Sequence, residues 1–399
     1  GWLILGTRED LVAGVLDRFA GTAAQNLASE GWYAEAVKQT AGERGDLRMV
    51  LNMEKIVRTP HFRSYWVQRN ITEMKQYASA VSDLYRSSRS YREERVLVRR
   101  TGLAALSQGD VRAITALAPD DAAFYAAQAS PEAENLLATL RDNLLEIKPE
   151  RQAASYTTAP AAAAAENAGS AAQLDTFIDK APLAVHQADA YAPLRALLLA
   201  QQPDASLEVF SSRPPRDGVF VSLQTAMAIS SARAWDEDAV HRALTQALLP
   251  GQTVGELGVN WEKRSSASGE YFALDGAAPL FAAVYGKQLL LANDSALMEE
   301  LLARRQKANS AEAKDSVTYA ALFRHTQELS NYRRLMEQLD LAGHRGPSDQ
   351  AAAAGESAAF FSGNTASLSR VFSKLESERI EERDRGATVT QTVTYQWSR

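Results

Sequence analysis

The chain has 399 residues, of which 46% are hydrophobic and 23% are charged, with 43 Lys and Arg against 49 Asp and Glu. This composition is typical of a folded globular protein, and the net charge of −6 argues against nucleic-acid binding by bulk charge. The absence of cysteine excludes thiol catalysis, disulfides, iron–sulfur clusters and cysteine-based zinc sites. A chain without thiols suits an oxidising cell envelope or periplasm, and a cytoplasmic location is the alternative.

The first fifty residues are predicted to alternate between strands and helices. Residues 2–5 are a short apolar run, which favours a buried strand, and Thr7 can cap the helix that follows it. The apolar stripe of that helix consists of Leu11, Val12, Val15, Leu16 and Phe19. A short helix near 32–39 and a strand at 47–51 complete this first group.

The middle of the chain continues the mixed pattern and ends in a linker. Helices are predicted at 62–69, 71–87, 110–117 and 131–143, and strands at 92–99 and 122–127. Residues 152–173 are rich in alanine and lack large apolar side chains, which is typical of a flexible linker. We therefore expect a first α+β unit at 1–151, the linker at 152–173 and a second α+β unit at 174–399.

The second unit contains pairs of short strands followed by helices. Strands are predicted at 207–210, 219–231, 259–263, 270–274, 280–285 and 287–292, helices at 193–201 and after Trp235, and a closing hairpin at 379–383 and 388–397. Tyr285 and Gly286 are suited to a tight turn between two of these strands. The pattern predicts an α+β fold in which helices cover antiparallel sheets.

An internal duplication is indicated by two strand–helix patterns separated by 286 residues (289 − 3). Residues 3–6 align with 289–292, and the same offset places Tyr33 on Tyr319. The helix positions Leu11, Val12, Val15 and Leu16 fall on Leu297, Met298, Leu301 and Leu302. We expect residues 358–362 to match the strand at 47–51 after an insertion. The alternative is a coincidental similarity. If the duplication is real, we expect the first unit to lack upstream strands, either because a segment was removed or because the sequence is a fragment.

No catalytic, cofactor or metal motif is present, and the sequence therefore assigns no catalytic, cofactor-binding or metal-ligating residue and no cofactor. The acidic run at 236–238 could hold a hard cation, but the first turn of a helix is the favoured interpretation. Trp235 and Trp261 are expected to be core residues. An enzyme of unrecognised type would need a site assembled between the two units from distant acids and histidines, such as His61, His241, His325, Asp236 and Asp238.

The segment Arg58–Arg100 carries ten basic and four acidic residues, so it has a charge of +6 while the remainder has −12. Six aromatic residues lie between them, and guanidinium groups bind phosphates while aromatic rings stack on bases or lie at lipid headgroups. The residues that could contact an anionic surface are Arg86, Arg89, Arg92 and Arg99. The alternative is that these arginines are solvated or paired and that the aromatic residues belong to the core.

Several phrases of the sequence resemble a large uncharacterised bacterial family, which is classed as a domain of unknown function. These phrases are residues 2–7 with the helix to Phe19, residues 31–33 and 47–51, residues 217–220 and 234–236, and the end of the closing hairpin at 395–397. The resemblance implies an envelope-associated or exported protein, commonly with an N-terminal membrane anchor that this sequence lacks. It implies no active-site residues.

From these observations we expect a non-enzymatic, envelope-side scaffold or binding protein that contacts a protein, a lipid or a glycan. Association with a membrane would depend on the missing N-terminal anchor. The two alternatives are an enzyme of unrecognised type and a binder of anionic surfaces that uses Arg58–Arg100.

Overall fold

The computed structural model describes residues 3–22, 26–40, 44–57, 74–102, 109–145, 190–213, 222–252, 260–276, 278–307, 316–329 and 374–398. The strands are β1 Leu47–Asn52, β2 Tyr77–Arg86, β3 Ser90–Arg99, β4 Phe124–Ala129, β5 Pro203–Arg213, β6 Ser222–Ser231, β7 Glu262–Ser266, β8 Gly269–Leu274, β9 Leu280–Tyr285, β10 Gln288–Ala292, β11 Tyr319–Arg324, β12 Leu375–Asp384 and β13 Thr388–Trp397. The helices include α1 Glu9–Phe19, α2 Gly31–Lys38, α3 Met53–Ile56, α4 Arg112–Thr115, α5 Ala133–Leu140, α6 Ala192–Gln201, α7 Glu237–Gln252 and α8 Ser295–Lys307.

The strands form a sheet of thirteen, in the order β1-β2-β3-β13-β12-β11-β4-β5-β6-β10-β9-β8-β7. Adjacent strands are antiparallel in each pair whose register is defined, from β1 with β2 to β7 with β8. The prediction of a mixed α+β fold with antiparallel sheet is confirmed.

Contacts between residues divide the chain into two compact units. The first comprises Gly1–Arg86, Glu93–Ala105 and Arg385–Gln391, and the second comprises Ser87–Arg92, Leu106–Asp384 and Thr392–Arg399. This division differs from the expected boundary near residue 151, because β4 pairs with β5 on one side and with β11 on the other. The expected linker at 152–173 lies outside the described residues, and the units expected at 1–151 and 174–399 stay a prediction.

The first unit contains a small apolar core and one well-buried ion pair. Met53, Val57 and Ala80 form the core cluster, with α3 packed against β2. Ala36 of α2 is fully buried, and α2 packs against β2 as well. Between β1 and β2, the Arg48 guanidinium donates to the Asp83 carboxylate from Nε at 2.8 Å and from Nη2 at 2.6 Å.

The second unit has an apolar cluster on each face of its sheet, because successive side chains of a strand point to opposite faces. Leu207 and Val209 of β5 belong to one cluster, together with residues of α4 and α8. Met227 and Ile229 of β6 belong to the other, together with residues of α5, α6 and α7. The strands β9 and β10 contribute to both clusters, which explains their nearly continuous apolar sequences.

Two of the predicted elements are wrong. Residues 3–6 form no strand, and Leu3 and Leu5 are 84% and 85% exposed, since the described residues offer them no neighbouring strand. The predicted helix at 71–87 is instead the strand β2 from residue 77 onward. Its apolar residues satisfy helical spacing, but the antiparallel register with β1, for example Val50 opposite Val81, determines the conformation. The predicted elements at 62–69 and 358–362 lie outside the described residues.

The internal duplication is not confirmed. Tyr33 lies in helix α2, whereas Tyr319, its expected counterpart, lies in strand β11. Residues 3–6 lack the strand structure of β10, and helix α1 has no buried residues although its counterpart α8 contributes four to a core. Among the described residues, the structural similarity between the two regions is restricted to the apolar spacing of helices α1 and α8.

Candidate functional site

A cleft of about 560 Å³ lies in the first unit. Its polar and aromatic lining includes Trp32, Glu35, Glu54, Ser79, Arg99 and Arg100. The volume lies within the range of about 300–1,000 Å³ that small-molecule sites occupy. We call this feature the Trp32 cleft.

Helix α2 provides one wall of the Trp32 cleft. Trp32 and Glu35 are three residues apart, so they lie on the same face of the helix. Ala36, the next residue, is fully buried and fixes α2 against the strands. The Trp32 ring is half-buried and meets Tyr33 edge to face, with ring centroids 6.1 Å apart. The indole is therefore held in place while part of it remains accessible.

The ends of β2 and β3 and the helix α3 provide the rest of the lining. Ser79 is buried on β2, and Arg99 and Arg100 end β3. The backbone N–H groups of Arg99 and Arg100 donate to the carbonyl oxygens of Ala387 and Gln76, each at 2.9 Å. These backbone bonds fix the strand end from which both guanidinium groups extend.

The charges that line the cleft are held by local contacts. Arg100 Nε lies 3.3 Å from Glu54 Oε1, and the two side chains are 39% and 49% exposed. Arg99 is buried, and its Nη1 donates to the carbonyl oxygen of Gly386 at 2.6 Å. Gln39 Nε2 donates to Glu35 Oε1 at 2.6 Å. Two carboxylates and two guanidinium groups give the lining no net charge.

A smaller cleft of about 230 Å³ lies in the second unit, between the start of α7 and strands β7 to β9. Lys263 and Glu270 form an exposed ion pair across it at 2.6 Å. Phe272 and Tyr285 provide aromatic walls, and the guanidinium of Arg305 lies 3.9 Å from the centre of the Tyr285 ring. Arg305 therefore occupies one face of the Tyr285 ring.

His241 lies beside the smaller cleft and is held by aromatic rings. Its ring is stacked on Trp261 with centroids 5.4 Å apart and meets the edge of Phe272 at 3.8 Å. Burial lowers the pKa of His241, although the nearby carboxylates of Glu237 and Asp238 raise it by smaller amounts. The neutral imidazole is therefore favoured, which suits a packing role.

Of the other candidate catalytic residues, Asp238 lies near His241, whereas Asp236 and His325 make separate contacts. Asp236 Oδ1 accepts a hydrogen bond from the backbone N–H of Ala239 at 3.0 Å, which is the helix cap that the sequence favours. The ring of His325 contacts Phe323, and its Nε2 lies 3.9 Å from Glu378 Oε2. Burial lowers the pKa of His325. His61 lies outside the described residues.

The two tryptophans expected in the core differ in burial. Trp235 is buried, and its Nε1 donates to the carbonyl oxygen of Lys287 at 3.1 Å, which confirms the expectation. Trp261 is partly buried against one cluster of the second unit, and its Nε1 donates to Thr245 Oγ1 at 2.9 Å. Neither indole lines one of the two clefts.

The four arginines expected to contact an anion are not placed on one exposed face. Arg86, Arg89 and Arg92 are exposed, whereas Arg99 is buried in the Trp32 cleft. Arg92 and Arg99 are seven positions apart on β3, so their side chains leave opposite faces of the strand. Because side chains alternate between the two faces of a strand, arginines that are grouped in the sequence lie on different faces. Anion contact by the exposed arginines stays a prediction.

Sequence reasoning missed Glu208, which lies in the middle of β5 opposite Ala126 and Met227. Burial raises the pKa of its carboxyl group. A half-buried carboxyl group with a raised pKa is a candidate proton donor. Among the described residues, no hydrogen bond or ion pair joins it to a second functional group. The Trp32 cleft was also not predicted. The local signal that could have indicated it is the three-residue spacing of Trp32 and Glu35, which places both side chains on one face of a helix.

Within the described ranges, no three His, Asp or Glu side chains are grouped closely enough to hold a metal ion. No helix in that part of the chain is long and apolar enough to cross a membrane. Comparison with known proteins finds no matching family model, no matching curated protein and no matching solved structure.

Proposed function

We propose that the protein is a non-enzymatic binding protein and that the Trp32 cleft is its ligand site. The observation that carries this proposal is the composition of the cleft, which combines a fixed aromatic wall with both acidic and basic side chains in a volume of about 560 Å³. A few oriented polar groups beside an apolar wall are typical of a site that recognises a small organic ligand.

A binding role is favoured over catalysis by the contacts of the candidate catalytic groups. Asp236 is used as a helix cap, and His241 is packed between aromatic rings. General acid–base chemistry requires a titrating group within hydrogen-bond reach of a second reacting group. The described contacts of Asp236 and His241 provide structural support instead.

The proposal is tested by isothermal titration of the full chain with N-acetylglucosamine, maltose, phenylalanine and adenosine monophosphate. We expect saturable binding of at least one probe and a loss of about tenfold or more in affinity in Trp32→Ala, because the variant removes the aromatic wall. Leu47→Ala is the control, since Leu47 is an exposed apolar residue of the same unit outside the cleft. Absence of saturable binding, or equal losses in both variants, would contradict the proposal.

A second candidate function is a scaffold formed by self-association through α1, with a second copy of the chain as the partner. The observation that favours it is the exposure of the large apolar side chains Leu3, Leu5, Leu11, Leu16 and Phe19. Several large exposed apolar side chains within one short segment are a feature of interaction surfaces. Helix α1 also has Glu9 and Asp10 in its first turn and Arg18 in its last, so an antiparallel second copy brings opposite charges together.

Sedimentation velocity over a range of concentrations tests this scaffold role. We expect the full chain to change from monomer to dimer as its concentration rises, and Leu16→Glu to remain monomeric because the charge would be buried at the interface. Lys38→Glu on the exposed part of α2 is the control. A wild-type chain that stays monomeric at every concentration removes the scaffold candidate.

We further propose an envelope or periplasmic location and membership of the bacterial family that the sequence resembles. The absence of cysteine and the quoted phrases support these proposals, and a cytoplasmic location is the alternative. Detection of the natural protein in the periplasmic fraction of its host, with a cytoplasmic marker absent from that fraction, tests the location. Recovery with the cytoplasmic marker would contradict it.

A further inference from the structure

We infer that the ligand of the Trp32 cleft is a neutral saccharide. This inference rests on the proposed binding function and adds the chemical class of the ligand. It follows from three properties of the cleft: the balance of its charges, the pairing of those charges, and the position of the indole.

The balance of charges disfavours a ligand with a net charge. Glu35 and Glu54 offset Arg99 and Arg100, so an anion would approach two carboxylates and a cation would approach two guanidinium groups. Charge complementarity governs the selection of ionic ligands. A site with a balanced lining therefore selects a ligand whose groups are polar but uncharged.

The pairing of the charges favours hydroxyl groups over a zwitterion. Arg100 is already paired with Glu54, and Glu35 accepts from Gln39. The ammonium and carboxylate of a zwitterion would have to compete with the Arg100–Glu54 pair. A hydroxyl both donates and accepts, so one hydroxyl can donate to Glu54 while a neighbouring hydroxyl accepts from Arg100, and the ion pair remains intact.

The indole of Trp32 supplies the surface that a sugar ring needs. A pyranose has an apolar face of C–H groups and a rim of hydroxyls. Trp32 presents an accessible aromatic surface, and Glu35 lies one helical turn away on the same face of α2. A ring packed on the indole would therefore place its hydroxyls near the polar lining, which includes Ser79 and Thr101.

The test compares sugars that differ in charge but share a ring. The full chain is titrated with N-acetylglucosamine and maltose as neutral probes, glucosamine as the cation and glucuronic acid as the anion, with phenylalanine as a zwitterion. We expect a neutral sugar to bind at least about tenfold more tightly than the two charged sugars. We also expect little change of its affinity with salt, because screening acts on charged ligands.

Two reciprocal variants sharpen the test. Glu35→Gln gives the lining a positive balance and should shift selectivity toward glucuronic acid, and Arg100→Gln should shift it toward glucosamine. Glu30→Gln, at the start of α2 and outside the lining, is the control and should change neither ratio. Circular dichroism and thermal unfolding of each variant establish that it is folded.

The outcomes separate this inference from the binding function itself. Tighter binding of a charged sugar, or binding of phenylalanine or adenosine monophosphate without a neutral sugar, overturns the saccharide inference and leaves the binding function standing. Absence of binding by every probe overturns both.

Discussion

Helices α1 and α8 have the same apolar spacing but opposite burial. Leu297, Met298, Leu301 and Leu302 of α8 are buried in a core cluster of the second unit, where α8 packs on β6 and β10. At the corresponding positions of α1, Leu11 and Leu16 are 57% and 54% exposed. The comparison teaches that an apolar stripe predicts a helix, whereas burial depends on the strands that the fold places beside it.

Strands β10 and β1 also stabilise their units in different ways. Strand β10 contributes continuous apolar side chains, of which Leu289, Leu290 and Leu291 are fully buried. Strand β1 pairs with β2 along an antiparallel register that includes the Arg48–Asp83 ion pair, whose side chains are 11% and 5% exposed. The first unit therefore combines a small apolar core with a buried charged contact, whereas β10 contributes only apolar packing.

The largest effect is expected from Asp83→Asn in the first unit. The variant removes the charge that compensates the buried guanidinium of Arg48, and loss of one partner of a buried pair costs about 3–5 kcal/mol. We expect about 3 kcal/mol, measured as the free energy of unfolding in urea, because β1 is the last strand of the sheet. Asp10→Asn breaks the exposed Arg8–Asp10 pair and should cost less than about 1 kcal/mol. Equal losses in the two variants would contradict the comparison.

The Asp83 contact also has a defined dependence on pH. The hydrogen bonds from Arg48 lower the pKa of Asp83, and its desolvation opposes this by a smaller amount. The folded state therefore binds fewer protons than the unfolded state as the carboxyl titrates. The stability is present above the ordinary pKa of an aspartate and is lost as the pH falls through the lowered value. Asp83→Asn should flatten the loss of stability of the first unit in acid.

An effect of similar size is expected from Leu301→Ala in α8. Leu301 is fully buried, and truncation of a buried leucine costs about 2–5 kcal/mol through lost burial and the cavity that remains. Urea denaturation at neutral pH measures the loss. A cost below about 1 kcal/mol would indicate that the α8 interface is loosely packed and would remove the basis of the contrast with α1.

Much of the second unit could be predicted from the sequence because local and tertiary preferences agree there. The turn at Gly286 has φ of 58°, as expected for a tight turn between β9 and β10, and the closing hairpin forms β12 and β13. Strand β2 could not be predicted, since its apolar residues fit both a helical and a strand spacing. Only the register with β1 distinguishes the two.

The candidate site was harder to predict than the fold. The residues of the Trp32 cleft lie on α2, α3, β2 and β3, which are far apart in sequence. Counting charges in Arg58–Arg100 placed Arg99 on an exposed face that would contact an anionic surface, whereas Arg99 is buried. Arg99 is buried because β3 lies within the sheet and not at its edge. A count of charges gives no information about the order of strands.

A smaller, pH-dependent change in stability is expected in the second unit, which contains His241. The described residues of the first unit include no histidine. Burial lowers the pKa of His241, so below about pH 6.5 the unfolded state binds more protons than the folded state. The stability that the neutral imidazole provides is present above that pH and is lost as the pH falls through the lowered pKa. His241→Phe keeps an aromatic ring beside Trp261 and should lose less stability on acidification. Hydrogen exchange of α7, with β1 and β2 as internal controls, measures this difference.

The smallest effect is expected from Leu16→Ala in α1, at the position that aligns with Leu302, the neighbour of Leu301 in α8. Leu16 is 54% exposed, and alanine is the better helix former, so the free energy of unfolding should change by no more than about 0.5 kcal/mol. A large cost at every protein concentration would mean that α1 is buried within one chain and would end the comparison with α8. A cost that appears only at high concentration would instead be the linkage expected of the dimer, because a partner that binds only the folded chain adds stability by mass action. The concentration dependence of this one variant thus separates an uncovered helix from one that a second copy covers.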